Sequence, residues 1–209
     1  MKIAMIASES RPFCKTGGLA DVVYSLGKEL AVIGEKVMVI IPFYQAIKDS
    51  IKTPVQFVDS FVINMSWRHQ EAKVYLTEAD GISFYFIEHP YFDRNHIYGD
   101  GDDGERFAFF ALAARELMFR QKDAPDIIHV HDWQAGMLPC LMKVDPFRLA
   151  KWIAEKSYPF AADDTSDERR RFDEGVAEMR AHLEGFDALP ATERTYLFNL
   201  LKSSIATNH

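Results

Sequence analysis

Lys15-Thr16-Gly17-Gly18-Leu19-Ala20-Asp21 follows an apolar run, Ile3-Ala4-Met5-Ile6-Ala7, and leads straight into a helical pattern. A strand, a glycine turn and a helix start therefore meet at one cationic residue. Two adjacent glycines take every Cβ out of the turn, which lets backbone N–H groups approach a ligand closely, and a helix N-terminus favours anionic groups. Lys15 adds a mobile positive charge. The combination suits the phosphates of a sugar nucleotide, while an ordinary Gly-Gly turn between strand and helix is the competing explanation.

Working outward, the chain alternates strands and helices to about Lys143, the pattern of an α/β fold with a parallel sheet. The first strand is Lys2 to Ala7. Residues Gly18 to Ile33 carry a helical stripe of Leu19, Val22, Val23, Leu26, Leu30 and Ile33, with Gly34 placed to end the helix. The second strand is Lys36 to Ile41. Three short runs, Val55 to Asn64, Ala72 to Thr77 and Ile82 to Ile87, predict a β-rich insertion before the next helix. That helix runs from about Glu105 to Gln121 and offers Phe107, Phe110, Leu112, Leu117 and Met118 to a core. Pro125 separates it from a strand at Ile127 to His131.

Composition narrows the class. The 209 residues carry a net charge of −7 with scattered basic residues, which disfavours nucleic acid as a partner. No apolar run reaches the roughly 18 residues that would span a membrane, and Glu9 and Arg11 interrupt the opening run before it could act as a signal peptide. Cys14 and Cys140 lie far apart without metal-ligand spacing, which argues against a disulfide framework and a zinc site and fits a reducing cytoplasm. No cofactor or metal is expected; Asp100, Asp102 and Asp103 lack the twelfth-position Glu of a calcium loop and read as a solvated turn.

Four stretches together resemble the N-terminal catalytic domain of bacterial glycogen synthases and plant starch synthases. They are Met1 to Ser10 with Lys15 to Asp21, Glu35 to Tyr44, Tyr98 to Phe107, and Asp126 to Gly136, which contains His131-Asp132-Trp133. The resemblance covers residues 1–143. It implies a two-domain GT-B glycosyltransferase with a Rossmann-like parallel sheet in this half, and transfer of glucose from ADP-glucose to the 4-hydroxyl of a (1→4)-α-glucan. By the same resemblance Lys15 contacts ADP-glucose, Gly17 and Gly18 shape the loop, and Tyr98 and Arg106 lie near the acceptor groove.

His131, Asp132 and Trp133 fall at the carboxyl end of a strand, where open α/β sheets bind ligands. Asp132 is suited to sugar hydroxyls and Trp133 to stacking, with a core histidine and simple packing as the plainer alternatives for His131 and Trp133. Asp21 is expected to cap or orient the glycine loop. Gln134 departs from the second histidine that the family often has there.

After Val144 the pattern changes to helices alone. Asp145-Pro146 opens one to about Tyr158. Thr165 to Glu168 forms a capping box before a stripe of Phe172, Val176, Met179 and Leu183, and Pro190 opens a last helix. Residues 144–209 are thus expected to be a helical tail, packed on the domain or used for homo-oligomerisation. The family's next strand, with its His-Asn motif, and the Arg, Lys and acidic residue of its donor-binding domain find no counterpart in the sequence, so the second GT-B domain is expected to be absent. Three readings follow: a synthase N-domain inactive alone, a non-catalytic module binding α-glucan or nucleotide sugar, or a scaffold assembled through its tail. The choice between ADP and UDP stays open, because the base-recognising part of the fold belongs to the other domain.

Overall fold

The computed structural model describes residues 1–65, 68–94, 96–121 and 124–143. The expectations for residues 144–209 lie outside the described residues. Six strands, β1 (Lys2–Ile6), β2 (Lys36–Pro42), β3 (Gln56–Met65), β4 (Arg68–Ala79), β5 (Ile82–Glu88) and β6 (Ile127–Val130), form one sheet in the order β3-β4-β5-β2-β1-β6. β5, β2, β1 and β6 pair in parallel; β3 and β4 continue the sheet antiparallel beyond β5. The α/β class and the parallel sheet stand as expected. The β-rich stretch is also present, but it is built into the sheet, and its third strand pairs with β2 from Val37↔Ile82 to Pro42↔Ile87. The sequence could not separate an inserted strand from a central one, because both are short apolar runs.

β1 and β2 read as continuous apolar runs because both faces are covered: Ala4, Met5, Ile6, Val39, Ile40 and Ile41 have no exposed surface. Two helices do the covering. The first, α1 (Gly18–Val32), connects β1 to β2. Its buried residues are Ala20, Val23 and Gly27, a stripe of small side chains, whereas Val22 and Ile33 of the expected stripe are exposed. A Cβ on Gly27 would lie 3.2 Å from Ile82 Cδ1 and 3.6 Å from Met5 Sδ, so glycine lets the helix rest directly on the sheet. Gly34, with φ of 93°, ends α1 in a Schellman turn: its N–H bonds Ala31 O at 3.0 Å and the Glu35 N–H bonds Leu30 O at 3.0 Å.

After the short α2 (Gln45–Ser50), α3 (Asp103–Arg120) crosses from β5 to β6. It lies between strands β3 and β5 on one side and α4 (Asp132–Ala135) and α5 (Leu138–Lys143) on the other. That double contact explains why Phe107, Phe109, Phe110, Ala113, Ala114, Leu117 and Met118 are all buried, more of the helix than a single stripe supplies. The crossover through α1 runs leftward along the sheet and the one through α3 rightward, and the right-handed rule for such crossovers assigns the two helices to opposite faces. β1 lies between β2, to which α1 carries the chain, and β6, and open α/β sheets bind ligands outside the carboxyl ends of their strands at such a point.

Candidate functional site

The loop after β1 carries the first half of the candidate site. Ala7 to Ser10 are buried, and beyond them Lys15 is exposed. Lys15 Nζ bonds Asp21 Oδ2 at 2.6 Å, and Arg11 Nη1 reaches Asp21 Oδ1 at 3.3 Å. The hydrogen bond from Lys15, with the two positive charges, holds the Asp21 carboxyl below the usual carboxylate range despite the opposing effect of desolvation. Asp21 therefore orients Lys15: the N-cap of α1 is Gly17, and among the described residues no side-chain cap hydrogen bond is made there.

Gly17 has an extended backbone that any residue can adopt, and a Cβ there would come only within 3.8 Å of Glu9 Oε1. Among the described residues, a Cβ on Gly18 would meet nothing within 4 Å. Neither glycine is thus demanded by its own backbone or by neighbouring atoms. The loop keeps open space at the start of a helix, beside a cation.

The loop after β6 supplies the second half. The His131 N–H bonds Ile6 O at 2.9 Å, tying this loop to the end of β1. His131 is 8% exposed and stacks on His129 with ring centroids 4.1 Å apart. Burial, with the nearby His129, pushes its pKa down to about 4, so the ring is neutral at pH 7. Asp132 follows with φ of 61°, a left-handed conformation that costs a non-glycine residue energy and that concentrates at functional sites. Its Oδ1 accepts the Trp133 N–H at 2.7 Å. Trp133 is 54% exposed and stands edge-on to Phe107 at 5.4 Å. Gln134, where the family often has histidine, is buried, so this departure falls beneath the surface and not on its exposed face.

The loop before α3 closes the side. Tyr98 is half-buried, shares a 2.7 Å hydrogen bond with Ser8 Oγ, and packs on Phe107. Desolvation lifts its phenol to about 12. Ser8, Tyr98, Phe107 and Trp133 thereby form a continuous wall from the β1 loop to α4. Arg106 has a different place: it is fully buried. Its Nε and Nη2 bond Asp103 Oδ1 at 2.9 and 2.7 Å, and Nη2 also bonds Ile97 O. Asp102 pairs with Arg94, and Asp100 with Arg94 and His96. The three aspartates, whose oxygens lie within 4.8 Å of one another, thus face arginines and histidine.

The structure therefore brings Lys15, Gly17, Gly18, Asp21, Tyr98, Asp132 and Trp133 to the carboxyl end of the sheet with His131 beneath them, and sets Arg106 inside the wall. Sequence reasoning overlooked Glu9 and Ser8, the polar residues directly beyond β1. Their position at the carboxyl end of a strand was the available signal. A depression of about 320 Å³ lined by Lys2, Lys36, Ser83 and Tyr85 lies elsewhere, toward the amino ends of the strands.

A family profile described as the starch synthase catalytic domain matches residues 2–201. The chain belongs to this family. It is 46% identical over 144 residues to glycogen synthases of Streptococcus pneumoniae strains 70585 and Taiwan19F-14, covering 68% of this chain and 30% of theirs. It also superposes on the catalytic domain of starch synthase IV from Arabidopsis thaliana, solved with ADP and acarbose. That match has a TM-score of 0.57 and 33% identity, again over 68% of this chain and 30% of the other. The chain thus spans about 30% of the length of these relatives. The profile runs past Lys143, where the quoted motifs end. Among the described residues no helix is long and apolar enough to cross a membrane.

Proposed function

We propose that this chain carries the N-terminal half of a glucan synthase site, serving elongation of (1→4)-α-glucan from ADP-glucose. The observation that carries the reading is the start of α1 without a side-chain cap and with Lys15 beside it, set beyond the carboxyl end of β1 next to β6. In glucose transfer the departing diphosphate gathers negative charge, and Lys15 with the first-turn N–H groups of α1 is suited to meet it. Asp132 and Trp133 supply what an acceptor sugar needs, a carboxylate for hydroxyls and an exposed aromatic edge. The starch synthase IV domain, solved with ADP and acarbose, supports a nucleotide and a saccharide as the ligand classes by family.

Catalysis of this kind depends on groups converging from two domains, so the 209 residues alone are expected to turn over no ADP-glucose. The exposed Trp133 favours a second reading, a module that binds α-glucan without turnover. A cytoplasmic location fits either reading.

Calorimetric titration with ADP-glucose and with maltooligosaccharide, beside a glucose-transfer assay and a Lys15→Ala variant, tests the assignment. Binding of ADP-glucose that is lost in Lys15→Ala, without turnover, is the expected result. Turnover abolished by Lys15→Ala would show that the chain completes a site by itself and refute the half-site reading. Glucan binding alone, indifferent to Lys15→Ala, would favour the module.

A further inference from the structure

We propose that Glu9 is a positioning residue for Lys15: its buried carboxylate latches Thr16, the next residue in the loop, and so fixes where Lys15 and the start of α1 face. The inference rests on the donor-phosphate reading above. Glu9 is 2% exposed at the end of β1, and its Oε2 accepts both the Thr16 N–H and, at 2.8 Å, the Thr16 Oγ1–H. Its negative charge is felt nearby, since it raises the pKa values of Cys14 and Tyr98, although desolvation is the larger cause in both.

The latch has two consequences. Threonine is a good helix-capping side chain, and Thr16 stands one residue before the N-cap Gly17; with its hydroxyl turned to Glu9 it caps nothing. Asp21, in the first turn of α1, is engaged by Lys15 and Arg11, and Glu9 Oε1 lies near Gly17. Thr16 and Asp21 are thus committed elsewhere, and neither closes the helix end beside Lys15. Releasing Thr16 would leave a buried carboxylate without its hydrogen-bond donor, which strongly disfavours the unlatched loop.

The test is residue-resolved NMR on the chain, measuring hydrogen exchange at the Thr16 amide and the response of the Gly17 and Gly18 amides to inorganic pyrophosphate. Glu9→Met keeps the volume and removes the acceptor, and Glu9→Gln restores an acceptor oxygen. Exchange at Thr16 should rise about tenfold or more in Glu9→Met, with β1 and β2 amides unchanged, and Glu9→Gln should recover most of it. Pyrophosphate affinity should fall in the same order. Unchanged Thr16 exchange in Glu9→Met overturns the latch, and faster exchange with unchanged pyrophosphate affinity overturns the positioning role. A wild type that ignores pyrophosphate while Thr16 exchange behaves as expected refutes the donor reading; the latch would then be a structural clamp only, and the positioning role falls with it. If Glu9→Met does not fold, Thr16→Val removes the hydroxyl bond alone, and the same two readouts must shift in the same direction.

Discussion

Replacing Arg106 by methionine separates two uses of that residue, an acceptor contact implied by family resemblance and the internal clamp seen in the fold. Arg106 has no exposed surface, and its guanidinium gives two bonds to Asp103 and one to the Ile97 carbonyl. Removing one partner of a fully buried pair costs about 3–5 kcal/mol, because the other charge is left behind, and the partly buried Asp103 draws the cost toward the lower end. Asp103 keeps N–H bonds from Gly99 at 2.9 Å and Asp100 at 3.2 Å, so the lower end, about 3 kcal/mol, is the expected cost.

For a chain of this length about 1 kcal/mol corresponds to 2–4 °C in Tm, so Arg106→Met should melt roughly 6–12 °C lower. The assay is thermal unfolding followed by circular dichroism, with Asp103→Leu and the double variant alongside. The double variant should lose clearly less than the sum of the single losses, since the two groups touch. An Arg106→Met protein that melts within about 2 °C of wild type, yet binds maltooligosaccharide more weakly, would refute the clamp and restore the acceptor role.

Three further outcomes are expected. His131, held neutral down to about pH 4 by burial and by His129, binds a proton less readily folded than unfolded; its contribution is therefore complete above the ordinary histidine pKa of 6.5 and is lost as pH falls from there toward 4. Tm should decline across that window, and His131→Phe should flatten the decline; an unaltered slope would contradict the assignment. Gly34→Ala forces a Cβ onto a residue at φ of 93° and should destabilise by about 1–2 kcal/mol in chemical unfolding, whereas a stabilised variant would show that the Schellman turn is not strained by a side chain. With a thiol reagent at pH 8, exposed Cys140 should label rapidly and Cys14 slowly, because desolvation lifts the Cys14 thiol to about 12; equal rates would overturn that environment.

Much of the fold was legible along the chain. Strand, glycine turn and helix at the amino end, the helix stop at Gly34, the long helix before Pro125 and the strand into His131-Asp132-Trp133 are all local patterns of apolar period and turn chemistry. Such patterns act over a few residues, so a sequence exposes them directly. The same holds for the site's outline, since the end of β1 and the end of β6 both announce themselves by a change from apolar to polar residues.

What the tertiary structure decided was where each side chain spends its charge. The sequence by itself determined that Lys15 stands at an open helix start and that Asp132 and Trp133 follow a strand. It could not show that β5 belongs beside β2, because strand order depends on long-range pairing. Nor could it show that Asp21 turns back to Lys15, that Arg106 is consumed within the wall, or that Glu9 rather than the helix end receives Thr16. Those outcomes follow from burial and from competition among neighbouring hydrogen-bonding groups, quantities that come into being only when separate stretches of chain are packed together.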